Sequence, residues 1–282
     1  MIAIDKKGQV RNGAKILGFM VLLGTMLAIA AFFPFSHQIK SWISVGIVLA
    51  VSWVCLHFEN ETFASIGIAL NTRFFIQLLM GMLIGVLLIA ILALTINIFG
   101  GFFFIRNSQV GIGNLFYGLI FFLQVSLVEE LFFRGYIFQR TIRGLGKTVA
   151  LLIFALFFVL AHWANPGMMG STKLWASLNI GLASVLLGLA FIKTGSLALP
   201  IGIHLGWNWT QGCLLGFGVS GHLEQGFWAP IFSNKPDWLT GGEFGLEASL
   251  AGTAMLLLAC VCLAIWRSII PSAASGNGRP IQ

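Results

Sequence analysis

LFYGLIFFLQVSLVEELFFRG, residues 115–135, is an apolar run in which two adjacent glutamates, Glu129 and Glu130, are followed by Arg134 one helical turn later. An ionisable side chain at bilayer depth costs about 2.5–3.5 kcal/mol on insertion scales, so it persists where it is paired, enclosed between helices or used for chemistry. Glu130 and Arg134 are spaced i, i+4, which stacks them on one helical face as a charge-assisted pair. Glu129 falls on a neighbouring face with no local partner. By itself the trio also fits a purely structural ion-pair network.

The rest of the chain has the same character. Of 282 residues 58% are hydrophobic and only 9% charged, with 26 Phe and 9 Trp, and the mean hydropathy is +0.94. These values lie outside the balance of a soluble globular domain and point to an all-α, polytopic membrane helix bundle. A span needs about 20 apolar residues, and on that rule eight transmembrane helices are expected near 14–35, 41–58, 74–99, 113–133, 148–163, 174–192, 196–216 and 248–266. The runs are too long and continuous for the ten-residue alternation of a membrane β-barrel. The net charge of +7 does not mark a nucleic-acid binder, because the basic residues lie at the ends of apolar runs rather than in one patch.

With a cytoplasmic N-terminus, twelve of the 16 Lys and Arg fall on inside segments, namely Lys6, Lys7, Arg11, Lys15, Arg73, Arg134, Arg140, Arg143, Lys147, Lys193, Arg267 and Arg279. Lys40, Arg106, Lys173 and Lys235 remain outside. The positive-inside rule therefore predicts an integral membrane protein with both termini in the cytoplasm. The first span is expected to be retained, since it is too long for a signal-peptide core and has no small-residue cleavage site. Residues 1–270 read as a single integral-membrane domain, with 217–247 as an outside loop containing turns. The Ser-, Gly- and Pro-containing stretch 271–282 reads as a disordered cytoplasmic tail. Cys55, Cys213, Cys260 and Cys262 lack metal-site spacing and are expected to be packing residues.

Two further polar elements lie at depth. His162 ends FALFFVLAH, one turn after Phe158, and His204 and Asn208 share a face of IGIHLGWNW at i, i+4. Glu129 and His162 lie about equally far from a glycine turn near residue 145, so an antiparallel hairpin would place them at one level, about 25 Å from its tip at 1.5 Å per residue. For His204 and Asn208 the simpler reading is interhelical hydrogen bonding, worth roughly 0.6–2 kcal/mol. Together, however, the set suits hydrolysis. A carboxylate and an imidazole can hold and deprotonate water, while imidazole and amide N–H groups can stabilise an oxyanion. Glu129, His162 and His204 are also a zinc-type ligand set, and the residues alone leave both chemistries open. No H-E-x-x-H and no G-x-S-x-G is present.

E-E-x-x-x-R at Glu129, Glu130 and Arg134, F-x-x-x-H at Phe158 and His162, and H-x-x-x-N at His204 and Asn208, in that order on successive spans, resemble the CAAX protease and bacteriocin-processing (CPBP, or Abi) family of intramembrane endopeptidases. The likeness covers about residues 110–215, and the remaining spans share only hydropathy with it. It implies an eight-helix core with an active site inside the membrane, open towards the cytoplasm. It further implies that Glu129 and His162 activate water, that His204 and Asn208 stabilise the oxyanion, and that Glu130, Arg134 and Phe158 support them. A metal-free mechanism is favoured, so no cofactor is expected; the alternative is a zinc held by Glu129, His162 and His204. The expected partners are the lipid bilayer and a membrane-associated protein or peptide substrate, with a bacterial plasma membrane as the setting. Two other classes compete with this reading. One is a non-catalytic scaffold or bacteriocin-immunity factor, and the other is a proton-coupled transporter in which Glu129 and His162 relay protons.

Overall fold

The structure, a computed structural model, describes residues 11–266. The proposed tail at 271–282, together with Lys6, Lys7, Arg267 and Arg279, lies outside the described residues.

Helices form at all eight expected places: α1 (Asn12–Ala31), α2 (His37–Phe58), α3 (Thr72–Ile98), α4 (Ile112–Phe133), α6 (Lys147–His162), α7 (Gly170–Thr194), α8 (Ala198–Trp209) and α10 (Leu250–Ile265). By length and composition five helical runs can cross a membrane, namely α1, α2, α3, the stretch Ile112–Leu145 and α7, whereas α6 and α10 are apolar but shorter. The outward face of α3 shows why a membrane is required. Leu79, Leu83, Leu87, Ile91, Leu94 and Ile98 are all exposed, a contiguous apolar surface that water does not tolerate. The chain is an integral membrane protein with an all-α bundle. The four cysteines are free, and Cys213 packs where a side chain on Gly118 would otherwise sit.

Two expectations need correction. The hairpin expected to turn near residue 145 is not a simple pair of helices, because the helix that carries Glu129 and Glu130 ends at Phe133 and the chain restarts as α5 (Tyr136–Leu145). Arg134 leaves helical geometry with φ −122° and ψ −7° as its side chain turns into the core. A Cβ on Gly135 would overlap the Leu131 carbonyl oxygen, so the corner requires glycine. The simple hairpin is thus a kinked pair, and Gly146, at φ +85°, forms the second corner leading into α6.

The second correction concerns the outside segment. It is not only turns, because β2 (Trp228–Phe232) pairs antiparallel with β1 (Phe102–Arg106), with Phe102 opposite Phe232 and Arg106 opposite Trp228. Phe102 packs edge-on to Phe104, Phe217 and Phe232, a geometry aromatic quadrupoles favour. A four-residue helix, α9 (Asp237–Thr240), follows β2 and packs against α7 and α10.

The tightest helix contact is between α3 and α8. Gly81 and Gly85 on α3 meet Gly202 and Gly206 on α8, reciprocal G-x-x-x-G pairs that let the backbones touch. A Cβ at Gly85 would lie 2.6 Å from the Trp207 nitrogen, and one at Gly202 would lie 3.0 Å from the Gly81 Cα. His204 lies within this glycine frame on α8, with Asn208 just beyond it. Gly85→Ala is therefore expected to cost about 1–3 kcal/mol by overpacking and to lower turnover by displacing His204. A thermal shift in detergent read alongside activity checks both, and an unchanged melting temperature would contradict the close contact.

The opposite end of the bundle from the strands is basic and closed by ion pairs. Lys15 meets Glu59 at 2.6 Å, Arg140 reaches Glu59 at 3.3 Å and Glu61 at 3.0 Å, and Arg143 meets Glu61 at 2.6 Å. The Tyr136 hydroxyl donates to Glu59. Burial alone would raise the Glu61 carboxyl, but its hydrogen bonds to Arg143 and Ser65 and the charge of Arg140 bring it down to about 2. The folded pKa is below the ordinary value of 4.5, so this stabilisation is complete above that pH and is lost as pH falls towards about 2. Glu61→Gln is expected to flatten the decline in melting temperature across that window. A decline as steep as in the unaltered protein would refute the assignment.

Candidate active site

The kink at Arg134–Gly135 draws a charged group into the centre of the bundle. The Arg134 guanidinium donates to Glu130 Oε1 at 3.0 Å, to the Ser184 carbonyl at 3.0 Å and to Ser184 Oγ at 2.9 Å. Arg134 and Glu130 are both fully buried. The guanidinium also stacks 4.9 Å from the centre of the Phe158 ring, a cation–π contact in a desolvated place. The expected Glu130–Arg134 pair forms, and it is anchored to α7.

Glu130 Oε1 also lies 2.9 Å from His204 Nδ1. That contact fixes the imidazole and turns its Nε2 towards Glu129, 3.8 Å from Oε2. From the other side His162 Nε2 lies 4.0 Å from the same oxygen. The His162 Nδ1 is 2.7 Å from the Phe158 carbonyl, which can only accept, so Nδ1 carries the hydrogen and a neutral ring presents a bare Nε2. Glu129 Oε2 is shielded from solvent and makes no hydrogen bond. Two nitrogens at 3.8 and 4.0 Å are too far for direct bonds, but they stand at the separation that a bridging water spans with bonds of about 2.8 Å.

The structure thus brings together all seven residues singled out in the sequence. Glu129, His162, His204 and Asn208 line one cavity of about 560 Å³, with Phe158 in its wall, and Glu130 and Arg134 lie behind it. Asn208 is buried one turn beyond His204, and the helix loosens immediately after it into a π-turn at Thr210–Leu214, a distortion frequent at functional sites. Among the described residues no group of three His, Cys, Asp or Glu is arranged to hold a metal ion. Glu129, His162 and His204 are the residues that would hold a zinc, and no step is routed through a metal.

The segment 111–210, which carries every one of these residues, matches a family model described as "Type II CAAX prenyl endopeptidase Rce1-like". This core is similar to that family, in keeping with the ordered CPBP-type motifs it carries. No curated protein and no solved structure matches the chain significantly. The matched core takes in α4 to α8, while α1 to α3 and α10 lie outside the matched stretch and serve as its packing partners, with α3 against α8 and α10 against α7.

The cavity is also lined by Asn165, Ser220, His222 and Glu224, from the segments that follow α6 and α8. None of them stands out in the sequence, because loop residues carry no helical spacing to tie them to a site. Glu247 joins them in the cavity wall, where its carboxylate takes the Ser220 N–H at 2.6 Å and the Gln211 amide. Burial pushes its carboxyl up to about 7 against those hydrogen bonds. The buried Asn179 amide also lines the cavity and donates to the Glu247 and Ser249 carbonyls at 2.7 and 2.8 Å, tying α7 to the start of α10.

Proposed function

We propose that the protein is an intramembrane endopeptidase that hydrolyses a peptide bond of a membrane-associated protein or peptide, with residues 1–270 acting as one catalytic domain. The observation that carries the reading is the convergence of Glu129 with two histidine Nε2 atoms in an apolar cavity, within a core of protease family. Glu129 and the bare Nε2 of His162 hold a water and take its proton as its oxygen attacks the carbonyl carbon. His204, with Glu130 on Nδ1 and Glu129 beside it, is placed between two carboxylates that accommodate its doubly protonated ring. Its Nε2–H and the Asn208 amide then donate to the oxyanion of the tetrahedral intermediate. Collapse of that intermediate breaks the C–N bond, and the amine leaves with the proton that Glu129 and His162 had taken. Arg134 neutralises Glu130 so that this arrangement carries no uncompensated buried charge.

Removing one oxyanion donor typically costs about 10²–10³ in kcat. Asn208→Ala is therefore expected to lower kcat by that order on a quenched-fluorescent prenylated CAAX peptide in detergent, with KM little changed. Elemental analysis of the same purified protein is expected to show no stoichiometric metal. A kcat within twofold of the unaltered protein, or one zinc per chain lost in Glu129→Ala, would overturn this assignment of roles.

A further inference from the structure

Glu247 lines the cavity from outside the matched segment 111–210. It sits in a short 3₁₀ turn, Leu246–Ala248, directly before α10, and it is buried. Among the described residues no cation pairs with it. Its carboxylate is held by neutral donors, with the Ser220 N–H on Oε1 at 2.6 Å and the Gln211 amide on Oε2. Burying a carboxyl without a counter-charge is unfavourable, and a neutral side chain would fasten a plain loop at lower cost.

Both donors belong to segments that shape the site. Gln211 lies three residues after Asn208, in the π-turn Thr210–Leu214. Its side-chain amide bridges Glu247 and the Gly218 carbonyl, the latter at 2.6 Å, while its own carbonyl accepts the Phe217 N–H at 3.0 Å. The end of the helix that carries Asn208 is thus folded around one side chain, which Glu247 holds from the α10 side. Gly245 leaves room for this contact, since a Cβ there would overlap both the Gln211 amide nitrogen and Glu247 Oε2. Ser220 lines the cavity in a left-handed conformation, φ +49°, which is uncommon for a residue with a side chain. Glu247 accepts its N–H, and Asn165, just after α6, donates to its carbonyl at 2.8 Å. Backbone strain held in place by surrounding bonds clusters at functional sites.

We propose that Glu247 is a positioning residue for the oxyanion site: through Gln211 it fixes the turn that ends the Asn208 helix, and through Ser220 it holds the adjoining stretch of cavity wall. The segment leading into α10, which carries none of the motif residues, is then part of the catalytic apparatus. The effect on rate rests on the proteolytic reading, whereas the clamp itself does not.

The test is a double-mutant cycle between Glu247→Gln and Asn208→Ala, read on the prenylated peptide in detergent. A misplacement of about 1 Å can cost about 10²-fold, so Glu247→Gln is expected to lower kcat by about 10–10²-fold while KM changes by less than about threefold. With Asn208 already changed to Ala, the same substitution should cost no more than about twofold. A kcat within about twofold of the unaltered protein would overturn the proposal, and so would an equal loss in both backgrounds, because a residue that only stabilises the fold acts whether or not Asn208 is present. A second readout needs no cleavage. Cys213 is buried within the same π-turn, and its labelling by N-ethylmaleimide, resolved site by site by mass spectrometry, is expected to be about tenfold faster in Glu247→Gln as the turn opens locally. Cys55, on α2, should keep its rate. Unchanged labelling of Cys213, or a rise at both cysteines alike, overturns the clamp even in a protein that cleaves nothing. Faster labelling of Cys213 alone in such a protein supports the clamp and fails the enzymatic reading only. Should Glu247→Gln fold poorly, Gln211→Met, which removes the bridging amide and leaves the carboxylate on Ser220, is read in the same way.

Discussion

Glu129→Gln is expected to abolish peptide cleavage while leaving the folded protein intact. General-base catalysis contributes about 10²–10⁴ in rate, and the amide can neither take the proton of the attacking water nor supply negative charge beside His204. The substitution is nearly isosteric, and Oε2 makes no hydrogen bond in the fold, so little structural support is lost. The melting temperature should move by no more than the effect of an ordinary surface substitution, within about 0.5 kcal/mol. Turnover of the prenylated peptide, measured in detergent beside a thermal scan, separates the outcomes. Full activity in Glu129→Gln would remove the catalytic proposal, and inactivity accompanied by unfolding would make Glu129 a structural residue. Proton-coupled uptake by reconstituted protein, lost in this variant, would point instead to the transport reading.

The second large effect concerns stability. Glu130→Ala leaves the fully buried Arg134 guanidinium with only Ser184 and the faces of nearby aromatic rings, and Arg134→Leu leaves Glu130 facing His204 alone. Breaking a buried pair by removing one partner costs about 3–5 kcal/mol. For a chain of this size that is a fall in melting temperature of roughly 10 °C, at about 2–4 °C per kcal/mol. The double change Glu130→Leu with Arg134→Leu removes both charges and is expected to recover most of the loss, since a well-packed apolar replacement of a buried pair is often neutral. It should still be inactive, because His204 no longer has a carboxylate on Nδ1. Single variants that melt within about 1 °C of the unaltered protein would show that the pair does not hold the core.

The apolar runs determine the helices, so hydropathy alone places eight of them, and polar residues at depth are rare enough that Glu129, His162, His204 and Asn208 stand out. What remains hidden depends on contacts distant in sequence. The corner at Gly135 follows from Arg134 reaching Ser184, fifty residues on, and β1 finds β2 more than a hundred residues later. Spacing alone places Glu129 and His162 at one depth across a straight hairpin, whereas they meet through two corners and a separate α5. The glycine pairs Gly81–Gly85 and Gly202–Gly206 gain their meaning only from meeting in space, where they frame the histidine. The rim residues His222 and Glu224 come from a loop, where spacing carries no geometric information.

The contact between α3 and α8 also divides the cavity into two unequal walls. Where backbone touches backbone, no side chain is left to be exchanged, so His204 and Asn208 stand on a surface that substitution cannot gradually reshape. On the facing wall, Phe121 and Val125 of α4 and Ala161 of α6 can change size without disturbing that frame. Relatives that differ in what they cut are therefore expected to differ at those three positions while keeping the four glycines, which makes the α4–α6 side the natural place to redesign selectivity.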